Sequence, residues 1–164
     1  MDGKVQQSLN DQIRHELESA YVYLAMCAHF EAENLPGFAH WMKLQAQEEV
    51  GHAMRLFEFM HDRGARVTLQ AIPQPPNSFE SPLSVFEQAL DHERHITRLI
   101  DECYAAAREA GDTATQVMLQ WFVTEQVEEE KNAGLAADQL KLAGNDRAAL
   151  LFLDRQMAQR TAED

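Results

Sequence analysis

Four stretches of this 164-residue chain carry apolar residues at helical spacing, and each stripe is interrupted by one glutamate. The second stretch shows what that implies. Between about Phe38 and Asp62, the residues Phe38, Met42, Gln45, Glu49, His52, Leu56 and Phe59 recur three or four positions apart and so share one helix face. A carboxylate and an imidazole on such a face cost free energy unless something pairs with them. A metal ion would do so, and Glu49-x-x-His52 offers one ligand of each kind a single turn apart. The motif alone is weak, because a second copy, Glu58-x-x-His61, follows nine residues on. Nine residues is about two and a half turns, so that copy faces away and reads as surface.

The other helices supply independent support. The first runs from about Val5 to Glu33, with Leu9, Ile13, Glu16, Ala20, Tyr23, Cys27 and Phe30 aligned. Asn34-Leu35-Pro36-Gly37 ends it and starts the second, and so short a turn makes the two antiparallel neighbours. From about Ala65 to Ser81 the chain is proline-rich and aperiodic, long enough to carry it from one end of a bundle to the other. Ser81-Pro82 reads as a cap followed by proline at the first helical position. The third helix then aligns Phe86, Leu90, Glu93, Ile96, Ile100 and Cys103 as far as about Ala110. After the turn Gly111-Asp112-Thr113, the fourth aligns Leu119, Phe122, Gln126, Glu129, Ala133, Ala136 and Leu140. A short fifth helix covers about Asp146 to Gln159. The expectation is an all-α four-helix bundle over about residues 5–143, with a long crossover between helices 2 and 3 and a short final helix, in one domain spanning 1–164.

The positions of the four carboxylates agree. Measured from the short loop of its own hairpin at about 1.5 Å per residue, each of Glu16, Glu49, Glu93 and Glu129 lies roughly 20–27 Å along the bundle. They therefore converge on one level of the interior. Four buried carboxylates repel one another and lose hydration, so without a cation they should take up protons. Two divalent ions cancel four negative charges, and His52 adds a neutral nitrogen ligand. An oxygen-rich set with one imidazole suits iron or manganese more than a closed structural zinc site. With Glu49 between the two ions, the residues read as a di-iron site that binds Fe(II) and passes electrons to oxygen.

Composition narrows the function classes. A formal charge of −13 and a pI near 4.9 disfavour nucleic acid and anionic membranes as partners. No stretch approaches the apolar length of a membrane span, and Met1-Asp2-Gly3-Lys4 leads directly into an amphipathic helix with no signal-peptide pattern. Cys27 and Cys103 form no Cys-x-x-Cys pair and read as buried, reduced thiols, in keeping with a cytoplasmic protein.

The segments His15-Glu16-Leu17, Gln47-Glu48-Glu49-Val50-Gly51-His52, His92-Glu93 and Glu125-Gln126-Val127-Glu128-Glu129-Glu130-Lys131 together resemble those of a bacterial non-haem ferritin. The likeness covers nearly the whole chain, including Trp41-Met42-Lys43 and Leu119-Gln120-Trp121-Phe122. It implies a ferroxidase that oxidises Fe(II) with oxygen or peroxide and stores ferric mineral inside a shell of 24 subunits. By the same likeness, Glu16, Glu49 and His52 hold a first iron. Glu49, Glu93 and Glu129 hold a second, with Gln126 beside it. Glu48, Glu125, Glu128 and Glu129 form a third iron position facing the cavity, and Tyr23 and Trp121 stand next to the centre as electron donors. The remaining histidines, His15, His29, His40, His61, His92 and His95, read as surface or packing residues.

Departures from sister families sharpen the expectation. The fourth helix has no histidine to make a second Glu-x-x-His, and Val50 stands where a bacterioferritin has its haem-binding methionine, so no haem is expected. Rubrerythrins carry a Cys-x-x-Cys iron site that is missing here. Two rival readings remain: a di-metal oxidase acting on an organic substrate, and a metal-free helical scaffold. A DNA-protecting miniature ferritin is disfavoured by the acidic balance and the lack of a basic tail.

Overall fold

Helix signals and breakers fall where the chain turns. The computed structural model describes residues 1–161, and the last three residues of the expected 1–164 domain lie outside the described residues. Five helices are present among the described residues: α1 (Gly3–Ala32), α2 (Pro36–Asp62), α3 (Pro82–Glu109), α4 (Thr113–Ala143) and α5 (Arg147–Met157). No strand occurs among the described residues. The fold is an all-α four-helix bundle with a short C-terminal helix. α1 starts two residues before the expected Val5 because the Asp2 carboxylate accepts a hydrogen bond from the Lys4 amide at 2.8 Å. Ser81 and Ser84 cap α3 reciprocally, and Asp112 accepts from the Thr115 amide at the start of α4. Between α3 and α4, Gly111 has φ +64°, a left-handed conformation that glycine adopts without steric cost.

The long connection is tied down along α1. The Asn10 side-chain oxygen accepts from the Thr68 amide at 2.7 Å, and its nitrogen donates to the Arg66 carbonyl at 3.2 Å. Val67 packs on the cluster near the start of α1 and Phe79 stacks on His29 near its end, 5.1 Å between rings, so the crossover runs lengthwise and α3 begins at the opposite end from where α2 stopped. α1 packs on α2 and α3, and α3 packs on α4, while α5 rests against both α2 and α4. No comparably close backbone approach joins α2 to α4 among the described residues. α2 and α4 instead meet along a seam through side chains, as Gln45 does with Glu129.

The core divides into two apolar clusters. One gathers Phe30, Phe38, Trp41, Met42 and Phe86; the other gathers Leu9, Ile13, Leu56, Met60, Ile100 and Phe122. Along every helix of the bundle the change from one cluster to the other falls at the polar residues: Glu16 on α1, Glu49 and His52 on α2, Glu93 on α3, Gln126 and Glu129 on α4. The buried polar layer is sandwiched between two greasy blocks, which supply the hydrophobic stabilisation that a layer of charges cannot.

α5 is fastened through a cap borrowed from far along the chain. Leu35, at the N-terminus of α2, offers no side-chain cap. The Asp154 carboxylate of α5 accepts instead from the amides of Gly37 and Phe38, both at 2.9 Å and buried. The approach is so close that a Cβ on Gly37 would meet the Asp154 carbonyl oxygen at 1.6 Å. Gly37→Ala is thus expected to push α5 off the bundle end and cost roughly 1–3 kcal/mol. Thermal unfolding tests this, and an unchanged midpoint would mean that α5 is held by something other than this contact.

Candidate metal centre

The buried polar layer brings the expected ligands together. Glu16 and Glu93 are 0% exposed, Glu49 is 1%, and His52 and Glu129 are 5%. Each projects from the middle of a long helix, where the backbone is fully hydrogen-bonded and only the side chain needs a partner. Helical spacing stacks Glu49 and His52, placing His52 Nδ1 3.5 Å from Glu49 Oε2 and 3.9 Å from Glu16 Oε2. Glu16, Glu49 and His52 each point one ligand atom into a space where all lie within 4.8 Å of one another.

Glu16 Oε2 and Glu49 Oε2 are buried and have no hydrogen-bond partner. Leaving such groups unsatisfied is costly, and here two acceptors face each other beside an imidazole nitrogen. Burial lowers the His52 pKa from 6.5, which favours a neutral ring with a lone pair to offer. Two carboxylate oxygens and a neutral nitrogen form a donor set that fits a divalent transition ion.

Hydrogen-bond donors hold the other carboxylates. Gln12 donates to Glu16 Oε1 at 2.8 Å, the Tyr23 hydroxyl to Glu93 Oε1, and Gln45 to Glu129 Oε2. Gln126 Nε2 donates to Glu93 Oε2 at 3.1 Å and to the Glu93 carbonyl at 3.2 Å. The expected second set, Glu49, Glu93 and Glu129, stands at the same level but does not close into a compact ligand group among the described residues. Burial, reinforced by neighbouring carboxylates, raises the pKa of Glu49 and Glu129 well above the ordinary carboxylate value. Burial likewise raises Glu93, to about 7, although bonds from Tyr23 and Gln126 oppose it.

A second acidic group lies on the α2–α4 seam. His52 Nε2 is 4.0 Å from Glu125 Oε1, and His52, Glu125 and Glu129 form another set within 4.8 Å. His52 thus addresses the inner set with one ring nitrogen and the seam with the other. Outside it opens a cavity of about 390 Å³ lined by Glu48, Glu125, Glu128 and Glu129, together with Arg55 and Arg160. All four residues of the expected third position share this cavity, but Glu48 is already paired with Arg160 at 2.8 Å.

The aromatic residues divide by location. Tyr23 is wholly buried and bonded to Glu93; burial, reinforced by the nearby Glu93 carboxylate, raises its phenol well above its usual pKa of 10. Trp121 stands 5.4 Å from the His52 ring, on the seam side, under the Arg55 guanidinium at 4.0 Å. Trp41, quoted in the sequence likeness without a role in the site, packs 6.4 Å from Tyr23. Of the remaining histidines, His92 is a packing residue, 2.7 Å from Ser19 Oγ and beside the Tyr23 ring. Glu58 and His61 are exposed, as the spacing predicts. Both cysteines are free thiols, but Cys27 is only half-buried because it sits at the edge of the α1 stripe.

Comparison with known proteins gives one answer. The family model for the ferritin-like domain matches residues 6–143. A protein named bacterial non-heme ferritin from Bacteroides fragilis is 43% identical over 157 residues, covering 96% of this chain and 98% of its own. One of the same name from Staphylococcus aureus is 35% identical, covering 96% and 95%. Among solved structures, an open pore ferritin from the archaeon Archaeoglobus fulgidus superposes with a TM-score of 0.97 at 44% identity, covering 98% of this chain and 99% of its own.

Proposed function

The chain belongs to the ferritin family, and from that premise we propose that it stores iron by oxidising Fe(II) at its buried carboxylate layer and retaining the ferric product inside a shell of 24 copies. The observation that carries this reading is the pair of partnerless buried oxygens, Glu16 Oε2 and Glu49 Oε2, facing His52 Nδ1. Fe(II) is the substrate. Glu16, Glu49 and His52 take the first ion, and Glu49, Glu93 and Glu129 take the second, with Glu49 shared between them. Each Fe(II) gives up one electron, and oxygen or peroxide accepts them. Gln12 holds Glu16 Oε1 and leaves Oε2 aimed at the ions, while Tyr23 and Gln126, one on each oxygen, fix the orientation of the Glu93 carboxylate. Glu48, Glu125 and Glu128, with Glu129, offer a third position on the way out. In this reading Tyr23 and Trp121, one on each side of the layer, serve as electron donors to the oxidant.

Assembly is supported by apolar side chains that a lone chain leaves in water. Leu142 on α4 and Phe152 on α5 are 88% and 68% exposed, surfaces that suit burial against further copies. No helix among the described residues is long and apolar enough to cross a membrane, and we place the store in the cytoplasm. An oxidase for an organic substrate fits less well, because the cavity beside the centre is lined by four glutamates and two arginines and suits cations better than carbon skeletons.

Aerobic addition of Fe(II) to the metal-free protein tests the proposal, with particle size and iron content as the readout. Many irons per chain, retained in a large particle, are expected. Only about two irons per chain, with no mineral, would move the function to an oxidase with a di-metal site.

A further inference from the structure

Arg160 lies three residues beyond the end of α5, yet its side chain is only 9% exposed. Nη2 donates to Glu48 Oε2 at 2.8 Å, and Nη1 donates to Gln45 Oε1 at 2.8 Å and to the Trp41 carbonyl at 3.4 Å. The guanidinium stacks over the Trp41 ring, 4.6 Å from its centroid, and the Arg160 carbonyl faces His40 Nε2 at 2.9 Å. The C-terminal segment is thereby folded back across the bundle, delivering one fixed positive charge to the acidic cavity beside the centre.

We propose that Arg160 is a built-in competitor for the outer metal position: it holds the Glu48 carboxylate, and a cation entering among Glu48, Glu125, Glu128 and Glu129 competes with its positive charge for that carboxylate. The inference rests on the reading that those four glutamates take a third ion. The guanidinium at 2.8 Å takes one lone pair of Glu48 and offsets the charge that would attract a metal there, and the two cations repel each other at that range. The hydrogen bond to Glu48 is charge-assisted and largely shielded from water, so losing it is not free. Moving the guanidinium does not require the segment to come off, because the contact with His40 is made by the Arg160 backbone carbonyl.

Arg160 also reaches the inner layer. By donating to the Gln45 oxygen, it leaves the Gln45 nitrogen facing Glu129, to which that nitrogen donates. Glu129 belongs to the outer group and to the expected second iron position. Arg160 is therefore a positioning residue for the centre as well as an occupant of its mouth. Lysine cannot reproduce this, since only the forked guanidinium serves Gln45 and Glu48 together.

The test is calorimetric titration of the metal-free, assembled protein with Zn(II), which binds without redox chemistry. Wild type, Arg160→Gln, Arg160→Lys and the double variant Arg160→Gln/Glu48→Gln are compared. The third zinc is expected to bind Arg160→Gln about tenfold more tightly than wild type, the size of one charge-assisted hydrogen bond. Arg160→Lys should fall between them, and the double variant should lose the gain, because it has no Glu48 carboxylate to release. A third-zinc affinity equal to or weaker than wild type in both single variants would overturn the proposal and leave Arg160 as a tether. If Arg160→Gln fails to assemble, Arg160→Lys against wild type decides the matter. Absence of any third zinc, in wild type and variants alike, would remove the outer position itself and the competitor with it.

Discussion

Glu49→Ala is expected to slow aerobic Fe(II) oxidation by about a hundredfold or more, since each factor of ten corresponds to about 1.4 kcal/mol and a ligand shared by two ions contributes several kcal/mol. Its carboxylate stands at the centre of the buried layer, 1% exposed, with one oxygen lacking any hydrogen-bond partner. It is also the residue through which both expected iron positions are joined. Alanine there removes a buried carboxylate rather than a packing group, so the helix should survive, as far-UV circular dichroism would show. The control is already in the chain. Glu58 belongs to the second Glu-x-x-His on the same helix but faces solvent, and Glu58→Ala should oxidise iron at the wild-type rate. Stopped-flow absorbance after mixing with Fe(II) measures both. Initial rates within a few-fold for Glu49→Ala and wild type would sink the centre proposed here.

That internal control shows which features were legible in the sequence. Helical period alone separates Glu49-x-x-His52 from Glu58-x-x-His61, because one shares the face of Phe38, Met42 and Leu56 and the other does not. The same period placed Glu16, Glu93 and Glu129 at one level, and the crossover and both tight turns followed from proline, glycine and capping residues. What escaped depends on distances between helices. Gln45 lies on the Glu49 face in the sequence, but its bond to Glu129 exists only because α2 and α4 face each other across the seam. Asp154 caps a helix whose first turn is 117 positions earlier in the chain, and local sequence cannot reveal such a partner. Arg160 follows the last periodic segment, so nothing near it hints that it reaches Glu48. The assignment of Glu48 from its motif therefore missed the cation that already holds it.

The Glu93→Gln variant of the metal-free protein is expected to gain stability over wild type as pH rises from about 5 to 8. The Glu93 pKa stands at about 7 in the fold, against an ordinary value of 4.5, so between those values the folded chain binds more protons than the unfolded one. Its favourable contribution is complete below about pH 4.5 and is lost as pH climbs through 7, where folding must accept a buried charge. For Glu93 alone the change amounts to about 3 kcal/mol at roughly 1.4 kcal/mol per pKa unit. Glu49 and Glu129 are displaced in the same direction. Histidine works the other way: burial lowers His92 to about 4, so its contribution is present above pH 6.5 and fades as pH falls. Comparing wild type with Glu93→Gln removes that opposing trend, because both chains keep their histidines. Glutamine keeps the size and the acceptor oxygen for Tyr23 but cannot ionise. Urea unfolding of both proteins across the pH range reads the difference, which should grow with pH and shrink again when Zn(II) is added at pH 8. A difference that stays flat would show that Glu93 ionises without penalty, and a carboxylate at ease with its charge gives the layer little need of a cation.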